Sequence, residues 1–179
     1  MKIYYVRHGQ TDWNLARKMQ GGGSEKDLNK TGIEQANETK KELENVEYDI
    51  IICSPMNRAI QTAKIINGNE QIPIETDERI RERKLGELEG HEITEEIERK
   101  IWDYNLNYQI PKGESIKEFE RRILEFVNEI KQKYPNKTIL IVAHGGVAKI
   151  LKMNLYGMPK SQNLSEIGMK NCEIIEAEI

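Results

Sequence analysis

A chain of 179 residues has room for one ordinary domain with a sizeable core. Charged residues at 32% against apolar ones at 37% describe a globular protein with a heavily solvated surface, and a net charge of -3 leaves no basic footprint for nucleic acid. No apolar run is long enough to span a bilayer, the first segment lacks a signal-peptide pattern, and Cys53 and Cys172 make no disulfide framework; the expectation is a cytoplasmic protein with neither membrane nor nucleic-acid partners.

Taken in chain order, KIYYVR (2–7) reads as a strand that runs straight into Arg7 and His8 before Gly9 breaks it. Two adjacent groups that are costly to desolvate do not suit a strand made only for packing. They suit a strand that presents chemistry at its carboxyl end, where ligands bind in open α/β sheets. GGGSEKD (21–27) is a loose, glycine-rich loop free to move. TGIEQANETKKELENV (31–46) repeats Ile33, Ala36, Leu43 and Val46 at roughly helical spacing. YDIIICS (48–54) is a second strand, followed by a helix PMNRAIQTAKII with Pro55 at its first position and Arg58 in its first turn. IPIE (72–75) is a third strand. The charged stretch 91–114, with scattered aromatics, reads as a surface helix over the sheet edge, anchored by Trp102 and Tyr104.

SIKEFERRILEFVNEIKQKY (115–134) opens with a capping-box pair, Ser115 and Glu118, and puts Ile116, Phe119, Ile123, Phe126, Val127 and Ile130 on one face. TILIVAH (138–144) runs into His144-Gly145-Gly146, where a further helix begins and stops near Gly157; CEIIEAEI (172–179) is the final strand. Strands alternating with helices predict an α/β fold with a largely parallel sheet in a single domain over 1–179.

Three of these strands end in basic groups, and carboxyl ends of parallel strands lie at one edge of a sheet. That edge would gather Arg7, His8, Arg58 and His144. Four basic side chains repel one another unless an anion sits among them, and a phosphoryl group fits best. Arginine offers planar paired donors to phosphate oxygens, and a helix N-terminus at Gly145 would add backbone N–H groups and a favourable dipole. Gly145 and Gly146, without Cβ atoms, let the backbone come close.

The ordered set VRHGQTDWN, LNKTGIEQA, CSPMNRAIQTA, RIRERKLGELEG, GES and VAHGG resembles the histidine phosphatase superfamily, in its phosphoglycerate mutase-like branch, over nearly the whole chain. The resemblance implies a three-layer α/β sandwich with a mainly parallel central sheet flanked by helices. It also implies a phosphomonoester hydrolase acting on a small phosphorylated metabolite. The fixed cations would already neutralise the phosphoryl group, so no metal or cofactor is expected, and the oligomeric state is left between monomer and homodimer. The resemblance makes His8 the phosphate-accepting nucleophile, Arg7, Asn14, Arg58, His144 and Gly145 the phosphate pocket, and Glu82 the general acid/base. Gln20 and Gly21 fall where the family's loop approaches substrate. After them the family usually shows a tryptophan, an aspartate and a Pro-Leu-Thr run, where this chain reads GGSEKDLNK.

Blander readings stand beside these. The run Glu78, Arg79, Arg81, Glu82, Arg83, Lys84, Glu87 has the composition of a solvated face, as does the helical pair Arg121-Arg122. His91 reads as a surface residue and Trp13 as a packing anchor. Cys53, separated from Arg58 by four residues with no glycine among them, misses the five-residue spacing of the cysteine-phosphatase loop by one and reads as a small hydrophobe. Three histidines without ligand spacing argue against a zinc site. The alternatives are a cofactor-dependent phosphoglycerate mutase and a non-catalytic phosphate-binding scaffold. The interval between GELEG and GES holds one arginine, Arg99, among four glutamates and an aspartate, a poor place to collect the carboxylate a mutase must hold.

Overall fold

The structure is a computed structural model that describes residues 1–69 and 72–179. Five strands form one sheet: β1 (Lys2–Arg7), β2 (Ile50–Cys53), β3 (Ile74–Thr76), β4 (Thr138–Ala143) and β5 (Ile174–Glu178), in the order β3-β2-β4-β1-β5. All neighbours run parallel except β5, which pairs antiparallel with β1. The helices are α1 (Asp12–Leu15), α2 (Lys30–Glu42), α3 (Asn57–Asn67), α4 (Glu95–Ile101), α5 (Ile116–Lys133) and α6 (Gly145–Tyr156). Among the described residues no helix is long and apolar enough to cross a membrane.

The sheet is buried on both faces, so its strands are continuous apolar runs rather than alternating ones. Ile3, Tyr5, Ile52, Ile139 and Ile141 point into one core with α5 and α6. Tyr4, Val6, Ile51, Leu140 and Val142 point into the other with Ala59, Ala63 and Ile66 of α3. The period-two split of each strand therefore produces the expected three layers. On α5, the capping box Ser115–Glu118 forms and all six apolar positions named from its spacing are buried. Burying each such side chain contributes on the order of 1.5–3 kcal/mol.

Three element expectations need correction. α2 ends at Glu42, short of Val46, and buries Gly32, Ala36 and Thr39, while Ile33 is 46% exposed. The packed face is rotated because Gly32 lies hard against the Gln10 backbone, where a Cβ would overlap. α3 begins at Asn57, not Pro55: Met56 is its extended N-cap, with its N–H on the Ser54 hydroxyl at 3.4 Å. Segment 91–114 supplies α4, but Trp102 is buried and lies at the carboxyl end of β1 and β4 instead of over a sheet edge.

Candidate active site

β4 lies between β1 and β2, so consecutive strands of the chain are separated at this point and a crevice opens at their carboxyl ends. The parallel register sets Arg7 opposite Ala143 and Cys53 opposite Val142, which places His8, His144 and Ser54 side by side just past the ladder. His8 N–H bonds Ala143 O at 2.9 Å and Ser54 N–H bonds Val142 O at 3.0 Å, extending the sheet by one residue at each site position.

His8 is 3% exposed, and its Nδ1 donates to Gly9 O at 2.7 Å. A carbonyl can only accept, so the proton sits on Nδ1 and Nε2 presents its lone pair. Arg58 Nε donates to that lone pair at 3.2 Å. Burial, and then the positive charges of Arg58 and Arg7, hold the imidazole well below its usual pKa, so it is neutral near pH 7. His144 is likewise fully buried and held well below the usual range by burial, then by Arg58, His8 and Arg7. The two rings meet edge to face with centroids 5.2 Å apart.

Arg58 enters from the first turn of α3, fully buried, and donates to Ser24 O at 2.9 Å and Gly21 O at 3.3 Å. Burial brings its pKa down to about 10, so it remains a cation at neutral pH. With its amide oxygen turned toward Arg58, Gln20 accepts from Arg58 Nη1 at 3.1 Å. The loop 21–27 is therefore tied down rather than loose: Arg81 also donates to Gly22 O, and Gly21 sits behind Arg58 instead of lining the cleft. Arg7 donates through Nη1 to Met169 O at 2.5 Å. Two buried polar atoms at this centre, Arg7 Nε and His144 Nδ1, have no partner in the protein. Buried polar groups are ordinarily hydrogen-bonded, so a pair left over beside two cations fits the oxygens of an anion.

Glu82 completes the centre. Its Oε2 accepts from Gly146 N at 2.9 Å and its Oε1 from Arg83 N at 2.8 Å. The carboxyl group thus sits at the N-terminus of α6, fixed by one backbone N–H on each oxygen. A Cβ at Gly146 would overlap Glu82 Oε1, so this approach requires glycine. Neither cationic partner in the region is the solvated residue its sequence suggested. Arg83 is fully buried, stacked over Trp102 and bonded to Ile101 O and Glu114 O. Arg122 reaches back from α5 to Arg79 O, Arg81 O and Glu82 O and pairs with Glu114 at 2.8 Å, while Arg121 is exposed.

Arg7, Asn14, Gln20, Glu82 and Gly145 line one cleft of about 230 Å³. Sequence reasoning missed the rest of its wall: Met19, Leu85, Ile93, Ile101, Trp102 and Met169 give it apolar sides. Lys149, one turn into α6, also lines it; its amine donates to Leu164 O at 2.8 Å and Ile167 O at 2.6 Å, and burial lowers its pKa to about 8. Tyr5 was missed too, although period two puts it on the same face as Arg7; its hydroxyl donates to His144 O at 2.5 Å. Asn14 accepts from Thr11 N and from Asn171, whose amide also holds His8 O at 2.9 Å. His91 is exposed and outside the cleft lining, and Trp13 packs under Lys26. Cys53 is fully buried, and burial pushes its thiol up to about 11, the reverse of an activated nucleophile. Among the described residues no three His, Cys, Asp or Glu side chains gather into a metal-binding group.

Two histidines, two arginines and one carboxyl group thus meet at the carboxyl edge of the parallel strands in a three-layer α/β sandwich, and that fold and site define the class. The family model described as the histidine phosphatase superfamily (branch 1) matches residues 3–179, and the chain belongs to that superfamily. It is 40% identical over 155 residues to the uncharacterized phosphatase PhoE of Bacillus subtilis, covering 87% of this chain and 77% of that one. It is 32% identical to the probable phosphoglycerate mutase GpmB of Proteus mirabilis, covering 97% of this chain and 83% of the relative. Among solved structures, Bacillus stearothermophilus YhfR superposes with a TM-score of 0.88 at 33% identity, covering 99% of this chain and 91% of that one.

Proposed function

We propose that the protein is a metal-independent phosphomonoesterase that works through a phosphohistidine on His8. The observation that carries this is the tautomer: the Nδ1–H bond to Gly9 O leaves the His8 Nε2 lone pair beside Arg58, with Arg7 Nε and His144 Nδ1 unpartnered nearby. His8 Nε2 attacks phosphorus, a P–N bond forms and the P–O bond to the alcohol breaks. Glu82 gives the leaving oxygen a proton. In the second step water attacks the phosphohistidine, Glu82 takes back a proton, and phosphate leaves with His8 restored. Arg7 and Arg58 neutralise the charge that spreads over the equatorial oxygens, which removes the need for a metal ion.

Hydrolysis, not mutation of phosphate position, is the reading the cleft supports. A mutase must hold a carboxylate as well as a phosphate. Arg83 is committed to Ile101 O and Glu114 O, and Lys149 to Leu164 O and Ile167 O. The other cleft-lining groups are mainly apolar, with Glu98 among them and Lys18 exposed at the rim. The substrate is accordingly a small phosphorylated metabolite with one phosphoryl group to be held. The direct test is brief incubation with a panel of phosphomonoesters followed by quenching without acid. A base-stable, acid-labile label should appear on His8, and His8→Ala should abolish both label and turnover while activity persists in excess chelator. A label on Cys53, loss of activity in chelator with rescue by a metal, or mutase turnover tenfold above phosphate release would each overturn the reading.

A further inference from the structure

Ser54 is a residue to which the steps above give no part. It is fully buried at the end of β2, and its Oγ lies 2.7 Å from His144 Nε2. A serine hydroxyl has one proton to give and two lone pairs. One lone pair takes the Met56 N–H at 3.4 Å. His144 Nε2 is the one acceptor within hydrogen-bond reach of the hydroxyl proton among the described residues. If the imidazole donated instead, two donors would converge on Oγ and the hydroxyl proton would be buried without an acceptor, the arrangement interiors avoid.

We infer that Ser54 is a positioning residue that donates to His144 Nε2, fixing His144 as a neutral ring whose proton is on Nδ1. That Nδ1 is the buried atom without a protein partner. With the proton there it is a donor to a phosphoryl oxygen; with the opposite tautomer it would present a lone pair to an anion and repel it. Burial and the neighbouring Arg58, His8 and Arg7 keep the ring uncharged, so an orienting hydroxyl, not a positive charge, makes it a donor. The two histidines thus reach the same Nδ1–H form for opposite ends. In His8 a carbonyl takes the Nδ1 proton and frees Nε2 to attack; in His144 a hydroxyl occupies Nε2 and frees the Nδ1 proton to bind. The Tyr5 bond to His144 O fixes the backbone from which the ring projects.

The role in binding rests on the phosphatase reading above, whereas the tautomer does not, and the experiment separates them. In ¹⁵N-histidine spectra of the intact protein at neutral pH, His144 should show a protonated Nδ1 and a lone-pair Nε2. An Nε2–H or doubly protonated ring would overturn the inference by itself, whether or not any ester is hydrolysed. Ser54→Ala should shift His144 toward the Nε2–H form and weaken vanadate binding roughly tenfold to a hundredfold, below the full loss of an oxyanion donor. Ser54→Thr keeps the hydroxyl and should retain the Nδ1–H spectrum. A folded Ser54→Ala with unchanged spectrum and unchanged vanadate affinity would also refute it. The expected spectra in a protein that hydrolyses no phosphomonoester would instead overturn the proposed function and leave the tautomer standing.

Discussion

At Glu82 both carboxylate oxygens accept backbone N–H groups, one from Gly146 and one from Arg83, and this pairing makes the usual amide substitution informative. Glutamine has one acceptor oxygen and one NH₂, so in Glu82→Gln a donor must face a donor. On the proposed mechanism the variant loses the transferable proton and some of its placement together. Turnover of alkyl phosphates should fall by ~10²–10⁴, the range for a lost general acid. Turnover of p-nitrophenyl phosphate should fall much less, because that leaving group scarcely needs a proton. Steady-state kinetics on the two substrates separate the effects: misplacement depresses both alike, and equal losses would remove Glu82 from the acid role. His8, by contrast, should tolerate no replacement, since no other side chain puts a lone pair beside Arg58 with its second nitrogen bonded to Gly9 O.

One helix, α5, shows how an element reaches the site without entering it. Its apolar face packs on the sheet, while Arg122 on its flank gathers the carbonyls of Arg79, Arg81 and Glu82 and the Glu114 carboxylate. Both side chains of that pair are mostly buried, at 19% and 16% exposure. Arg122→Ala should cost about 2–4 kcal/mol in urea unfolding, reaching only the lower part of the range for a fully buried pair. It should also lower turnover more than it weakens vanadate binding, because it releases Glu82 and leaves the arginines in place. Arg122→Lys keeps the charge but not the planar fork and should recover stability better than turnover. The face of α5 was readable in advance because a capping box and three-four spacing record burial directly. Arg122 was not, since helical periodicity says which side chains are apolar and nothing about which charged ones find carbonyls on another element. For the same reason Arg7, His8 and His144 were legible as strand-end groups, whereas Ser54 and Arg83 looked like ordinary polar residues. Their partners lie 90 and up to 31 residues away.

For the molecule as a whole, two fully buried neutral histidines tie stability to pH. Their pKa values are lowered on folding, so between the folded values and about 6.5 the unfolded chain binds more protons. Their contribution is complete above pH 6.5 and is lost as pH falls below it, by up to ~1.4 kcal/mol per pH unit for each group. Urea midpoints measured from pH 7.5 down to 5 should therefore decline, and more steeply in the native sequence than in His8→Asn; parallel slopes would contradict the assignment of a buried neutral ring. The order of the sheet carries a different kind of consequence. The strand bearing Arg7 and His8 is flanked by β4 and by β5, both made more than a hundred residues later in the chain. Asn171 grips His8 O, Cys172 N–H bonds Arg7 O at 2.9 Å, and Met1 and Ile179 exchange backbone bonds. Contacts so distant in sequence form slowly. The turn at Arg7 and His8 is therefore held shut like a clasp by residues 171–178, and loosening that segment alone would unseat His8 while leaving its own strand paired with β4.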